Sequence, residues 1–344
     1  MTIALDATYS LGANLTGVGV YSRRIAFGLA AAHPEARFCF CYRLQRMARA
    51  WFERLPANAR RALLAEGRVP PAQLFHGLNQ RLPRARLPRA VTTFHDLFVI
   101  SGEYSTPEFR ARFRRQAQEA AERSDRIITV SRFTAHQVAQ LLGVEPARLR
   151  VIHHGVVLPP APPGEESRDN VVLHVGAVQA RKNLRRLVEA FERMEPGWRL
   201  VLIGSAGYGA GQILRAVENS PRRRDILLPG YLPATERDRW YARARIFAFP
   251  SLDEGFGMPV LEAMAWGVPV VASNVSALPE VCGDAAWLVD PRDADALAAS
   301  LRRLAADAGL RAELVRRGRA RAAAFRWEDA VAQTWEVYRE LLPS

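Results

Sequence analysis

Glu254 and Glu262 flank the segment Gly255-Phe256-Gly257-Met258-Pro259. The apolar run at 246–249 ahead of them reads as a strand that opens into a glycine-rich loop. Pro259 is suited to the first turn of a helix, and Glu262 then lies about two helical turns beyond Glu254 on the same face. Gly255 and Gly257 allow backbone N–H groups to approach an anion at the helix N-terminus. One carboxylate beside that anion and one along the helix can accept hydrogen bonds from two separate sets of hydroxyls. A phosphate held between two polyols describes a nucleotide-sugar.

A second constellation lies upstream. Gly176 closes an apolar run, and Ala177-Val178-Gln179-Ala180-Arg181-Lys182-Asn183 leads into an amphipathic stretch. Two cations at a helix start oppose the helix dipole unless an anion compensates. A diphosphate would do so, with Lys182 as a compact point charge and Arg181 as a forked donor. Lys182 is the only lysine of a chain that carries 47 arginines. Gly204 and the turn Gly230-Tyr231-Leu232 follow the next two apolar runs, and in doubly wound sheets ligands bind at such strand ends. Tyr231 and Leu232 are candidates for the nucleotide base. Gly17 and Gly19 precede a helix but lack the spacing of the dinucleotide fingerprint, which leaves them as a candidate anion nest. His95 ends the run at 91–94, where a titratable ring could reach a substrate.

These residues resemble the E-x7-E element of retaining glycosyltransferases, in particular glycosyltransferase family four, which has the GT-B fold. The resemblance implies that Glu254 contacts the transferred sugar, Glu262 the ribose, and the Arg181-Lys182 turn the donor pyrophosphate. It also implies an active-site role for His95. Many members carry a further arginine just after the glycine, where this chain has Ala177. That departure moves the expected phosphate ligand toward Lys182. Without an Asp-x-Asp at a strand end, neither a metal nor another cofactor is expected. Charge on the departing diphosphate would fall to Lys182, Arg181 and the amides near Gly257 and Met258.

The elements that must position these groups follow from periodicity. Apolar runs at 3–7, 37–42, 91–94 and 127–130 read as buried strands, with helices at 108–123 and 133–142. Further strands are expected at 171–175, 200–203, 226–228, 246–249 and 268–272, and helices at 183–193, 234–244, 259–266 and 327–342. Such alternation predicts an α/β chain of two Rossmann-like, doubly wound parallel sheets with a cleft between them. The expected division is a basic acceptor-side domain at 1–156, a Pro/Gly-rich linker at 157–169 and a nucleotide-sugar domain at 170–325. The resemblance carries the terminal helix, 326–344, back to the first domain.

Charge is unevenly placed. Residues 1–150 hold 23 arginines against 11 acidic residues. Within them Leu44, Met47, Trp51 and Leu55 recur at helical spacing, flanked by Arg43, Arg46, Arg49 and Arg54. That pattern fits a helix lying on an anionic membrane surface. Nothing at the start resembles a signal peptide and no run of apolar residues is long enough to span a bilayer, so a cytoplasmic or inner-face peripheral location is expected. Cys39, Cys41 and Cys282 read as packing residues.

The expected activity is transfer of a hexose, mannose being favoured, from a nucleoside-diphosphate sugar to a glycan or lipid-linked glycan. The resemblance implies that the anomeric configuration is retained, and no metal is expected to take part. A nucleotide-sugar epimerase would share the donor pocket without needing an acceptor. The net charge of +13 also raises nucleic-acid binding, but no binding module or interleaved aromatic pattern accompanies it.

Overall fold

The computed structural model describes residues 1–12 and 15–342. They form two compact units, Met1–Gly155 with the segment from Arg326 onward, and Val156–Phe325. The first unit runs β1 (Thr2–Asp6), α1 (Gly17–Ala32), β2 (Arg37–Arg43), α2 (Leu44–Trp51), β3 (Ala59–Leu64), β4 (Leu74–Gly77), β5 (Ala90–Phe94), α3 (Phe98–Ser101), α4 (Pro107–Arg123), β6 (Arg126–Thr129), α5 (Arg132–Leu142) and β7 (Leu149–Val151). Its parallel sheet has the order β3-β2-β1-β4-β5-β6-β7. Phe75, Phe94, Ile127 and Val138 are in its core. Local sequence sets several boundaries. Ser131 caps α5 by accepting from the Thr134 amide at 3.0 Å, and Gly143, at φ 66°, ends it.

The second unit runs β8 (Asp169–Val175), α6 (Leu184–Phe191), β9 (Arg199–Ile203), α7 (Ala210–Glu218), β10 (Ile226–Gly230), α8 (Ala234–Arg243), β11 (Ala244–Phe249), α9 (Met258–Ala265), β12 (Val270–Ser273), α10 (Leu278–Cys282), β13 (Trp287–Val289), α11 (Ala294–Ala306) and α12 (Ala308–Ala323). Its parallel sheet has the order β10-β9-β8-β11-β12-β13. Strands β8 and β11 flank the point where strand order reverses, as β1 and β4 do in the first unit. The stretch expected as a linker is fastened to this unit. The Arg168 guanidinium donates to the carbonyls of Tyr241, Ala244 and Trp266, and Glu165 pairs with Arg311.

The last helix, α13 (Trp327–Leu341), belongs to the first unit. Its Val331 lies where a Cβ on Gly28 would come within 2.5 Å, so a glycine lets α1 and α13 approach closely. Trp335 stacks on His33 at 3.6 Å, and Glu340 pairs with Arg126 and Arg150. Deeper in the unit, Tyr338 hydrogen-bonds His76 at 2.6 Å, His76 bonds Thr93 at 2.9 Å, and Thr93 bonds Tyr21 at 2.8 Å.

Two expectations need correction. The α2 stripe ends at Trp51, so Leu55 lies off the helix, and Phe52 joins the exposed apolar set instead. Arg43 is not a solvated flank: it pairs with Glu66 at 2.6 Å and faces buried Asp6 at 3.7 Å. The three cysteines are free and buried. Among the described residues no helix is long and apolar enough to cross a membrane.

Candidate active site

In the second unit the loops after β8 and β11 emerge side by side at the strand-order reversal, where doubly wound sheets bind ligands. Gly176 ends β8 at φ 156°, and a side chain there would crowd His174 and the Lys182 methylene stem. Arg181 and Lys182 occupy a one-turn 3-10 helix, Ala180–Lys182, ahead of α6, which begins at Leu184. Asn183 takes a left-handed conformation at φ 57°, and its amide donates to the carbonyls of Pro250 and Pro291. This ties the β8 loop to the β11 loop. The Leu252 amide also donates to the Arg181 carbonyl at 2.8 Å.

The tie brings Glu254 against both cations. Lys182 Nζ lies 2.5 Å and Arg181 Nη1 2.9 Å from Glu254 Oε1, and all three side chains are buried. Burial by itself pushes the Glu254 carboxyl up. Arg181 and Lys182, with hydrogen bonds from Lys182 and Ser251, outweigh it and hold the group at about 2. Lys182 also lies over the Phe249 ring at 4.6 Å. The neighbouring His174 is held near 3 by burial and then by the charge on Lys182. Its ring is therefore neutral beside the ion pair. Sequence reasoning placed both cations on phosphate; the structure has them against the Glu254 carboxylate.

Glu262 belongs to a different set. Gly257, at φ 103°, caps α9, whose first turn has no N–H at Pro259 and a Val260 amide that donates to the Gly257 carbonyl at 2.9 Å. One turn into α9, Glu262 accepts from the Tyr241 hydroxyl at 2.9 Å and faces Arg237 at 3.8 Å. Burial raises its carboxyl, while Arg237 and Tyr241 pull it back only in part. These α8 partners were missed, although Arg237 and Tyr241 stand four apart and so share one helix face. Gly204 ends β9, where a Cβ would strike the Gly176 carbonyl at 2.0 Å. Its amide donates to the Gly230 carbonyl at 2.9 Å. Beyond Gly230, Tyr231 is exposed and Leu232 half-buried. Phe256 is buried, packed edge-on to Phe325 at 5.8 Å.

His95, Gly17 and Gly19 lie in the first unit. His95 follows β5 and hydrogen-bonds the Leu78 carbonyl through Nε2 at 2.9 Å. Donation from Nε2 leaves Nδ1 as the acceptor nitrogen of the ring. Burial holds its pKa near 4 against the opposing pull of that bond, so the ring is neutral at pH 7. The Tyr21 ring meets it edge-on at 4.7 Å, and His154 stacks at 5.6 Å. Gly17 opens α1, while Gly19 is a packing position where a Cβ would come 2.9 Å from the Tyr9 carbonyl. Neither glycine has positive φ, so both amides belong to an ordinary first helical turn.

Known proteins share this pattern. Residues 160–321 match the family model "Glycosyl transferases group 1", and residues 15–158 match "Glycosyltransferase Family 4". The O-antigen chain mannosyltransferase B of Escherichia coli is 35% identical over 284 residues, covering 78% of this chain and 74% of that protein. A D-inositol 3-phosphate glycosyltransferase of Acidothermus cellulolyticus is 33% identical over 281 residues, 73% of this chain. The chain spans 62% of that second relative's length. Sucrose-phosphate synthase from Thermosynechococcus elongatus superposes with a TM-score of 0.82 over 99% of each chain at 23% identity, which shows the fold. Two parallel-sheet units, both family models and a mannosyltransferase relative at 35% identity lead to one assignment: the chain belongs to the group 1 glycosyltransferases, with the GT-B fold.

Proposed function

We propose that this glycosyltransferase moves a hexose, mannose in the first instance, from a nucleoside-diphosphate sugar to a glycan or lipid-linked glycan, retaining the anomeric configuration. The observation that carries this reading is the buried Lys182–Glu254–Arg181 cluster at the sheet's reversal point. Two cations beside the start of α9 suit a diphosphate, and an ionised Glu254 suits the hydroxyls of the attached sugar. In this reading Glu262, set by Tyr241, takes the ribose hydroxyls, and Tyr231 with Leu232 borders the base. As the sugar–phosphate bond breaks, the leaving oxygen gains negative charge, which Lys182, Arg181 and the α9 amides stabilise in place of a metal ion. The acceptor hydroxyl forms the new bond to the anomeric carbon from the same face, and its proton passes to the leaving phosphate oxygen. His95, neutral, accepts a hydrogen bond from a substrate hydroxyl through Nδ1.

The relatives favour an acceptor that bears a phosphate or a growing glycan, because one is named for inositol 3-phosphate and the other for the O-antigen chain. An anionic membrane surface is the proposed partner of α2. The test of the site is a pair of variants assayed for turnover and for nucleoside-diphosphate binding. Glu254→Gln keeps shape and removes charge, so turnover should collapse while the nucleotide still binds. Glu262→Ala should weaken the nucleotide itself. Wild-type turnover in Glu254→Gln would sink the mechanism.

A further inference from the structure

The second unit carries a hollow that the donor chemistry does not use. It has a volume of about 520 Å³ and lies at the amino ends of β8, β11 and β12, whereas Lys182 and Glu254 stand in loops at the carboxyl ends. Four arginines line it: Arg168 just ahead of β8, Arg245 as the second residue of β11, and Arg316 and Arg319 a turn apart on α12. A Cβ on Gly267, at φ 67°, would come 2.6 Å from the Arg319 guanidinium, so that group rests on the backbone just past α9. The Arg168 guanidinium is occupied by backbone carbonyls. Arg245 donates to Asn170 and to the Arg168 carbonyl, while its Nε stays buried without a partner. Among the described residues no carboxylate pairs with Arg168, Arg245 or Arg319, and the one acid in the lining, Glu165, pairs with Arg311. Arg316 pairs with Glu313 along its own helix. Like charges are thus crowded: burial and then Arg319 pull Arg168 down to about 10, with Glu165 opposing.

We propose that this hollow is an anion site that takes a phosphate group, free or as a monoester, on Arg319 and Arg316, with the charges of Arg168 and Arg245 behind them. The site is separate from the donor loops, and its assignment does not rest on the glycosyltransferase reading. Ligands of doubly wound sheets bind at the carboxyl ends of the strands, and this hollow is at the other end. A phosphate dianion fits the charge left over. Its oxygens match the forked donors of arginine, and it brings compact negative charge to three arginines that no carboxylate pairs with. The volume is in the usual range for small ligands, roughly 300–1,000 Å³. Pro163, Gly164 and Arg168 belong to the stretch expected as a linker, and α12 supplies another wall, so an occupant would fasten that stretch to α12.

Titration of inorganic phosphate and glycerol 3-phosphate into the full chain, at constant ionic strength in chloride, tests the site, with hydrogen exchange locating the bound anion. Phosphate should slow exchange in 163–168 and in α12 of the wild type. Lys182→Ala, which weakens phosphate at the donor loops, should keep that protection. Arg319→Ala, at an exposed position, should weaken binding about tenfold or more, the usual cost of one charge-assisted contact. It should also abolish the protection and leave nucleoside-diphosphate binding unchanged. Arg319→Lys keeps the charge without the fork and should fall between the two. Tighter binding of glycerol 3-phosphate than of phosphate assigns the site to a monoester, and equal or weaker binding assigns it to the free ion. Protection that survives Arg319→Ala with Arg316→Ala overturns the proposal, as does protection that is lost in Lys182→Ala. Chloride giving the same protection as phosphate also overturns it, since screening alone would then account for the effect.

Discussion

Lys182 and Glu254 lie 2.5 Å apart in a buried site with Arg181 alongside. The cluster sets two cations against one carboxylate, both within ion-pair distance of Glu254. A diphosphate arriving there would share Lys182 with Glu254. Lys182→Ala should therefore reduce affinity for a nucleoside diphosphate by about 1.5–3 kcal/mol more than for the free nucleoside, the usual worth of a hydrogen bond to a charged group. Calorimetric titration of both ligands checks it, and equal losses would place Lys182 away from the phosphates. The same substitution has a pH signature. Glu254 is held at about 2 in the fold, below its unfolded value of about 4.3. Its stabilising effect is thus full above that unfolded value and is lost as pH falls toward about 2. Without Lys182 the folded value rises, the acid side of the stability curve flattens, and the variant is less stable at neutral pH because a buried carboxylate has lost a partner.

At the scale of elements, α2 presents an apolar face that nothing in its own unit covers. Leu44, Trp51 and Phe52 are 77%, 70% and 88% exposed, with Arg46, Arg49 and Arg54 also exposed nearby. Amphipathic helices normally pack their stripe inward, so three exposed large side chains favour a bilayer surface over a core. Sedimentation with anionic vesicles should show binding at low salt that fades as salt rises. Leu44→Ala with Trp51→Ala should weaken it without altering nucleotide binding, and failure of the wild type to sediment at low salt would return α2 to water. The strands at the sheet centres were legible because they hold apolar runs, 38–42 in β2, 171–173 in β8 and 246–249 in β11. Edge and short strands were not. β3 carries Arg60 and Arg61 on an outer strand, and β4 is only four residues long. Of the site, spacing revealed which residues carry charge but not how they pair. Glu254 meets Lys182 across loops that Asn183 and the Leu252 amide bolt together, long-range contacts that no local pattern encodes.

For the molecule as a whole, the two units differ in how they carry histidine. The first buries His76, His95 and His154; burial holds His76 near 3 and His95 near 4, and pushes His154 well below its ordinary value. In the second unit His174 is held near 3. A histidine whose folded pKa lies below its unfolded value of about 6.5 contributes stability that is full above 6.5 and is lost as pH falls toward the folded value. The unfolded chain binds the proton first, and the slope is about 1.4 kcal/mol per pH unit for each such ring. Three rings in the first unit against one in the second predict that acid weakens the first unit more steeply between about pH 6 and 4. Asp6 in the first unit and Glu262 and Asp238 in the second, whose carboxyls burial raises, act in the opposite sense. With one such group in the first unit and two in the second, they do not reverse the comparison. The carboxylate of Glu254 enters only at lower pH. The Tyr338–His76–Thr93–Tyr21 hydrogen-bond chain runs from α13 into the sheet of the first unit, so protonation of His76 should loosen α13 together with β5. Hydrogen exchange followed by mass spectrometry at pH 7 and pH 5, corrected for intrinsic rates, reads each unit separately. The expected result is loss of protection in β4, β5 and α13 ahead of β8 and β11. Equal loss in both sheets, or earlier loss in the second, would show that the buried histidines do not set the acid sensitivity of this fold.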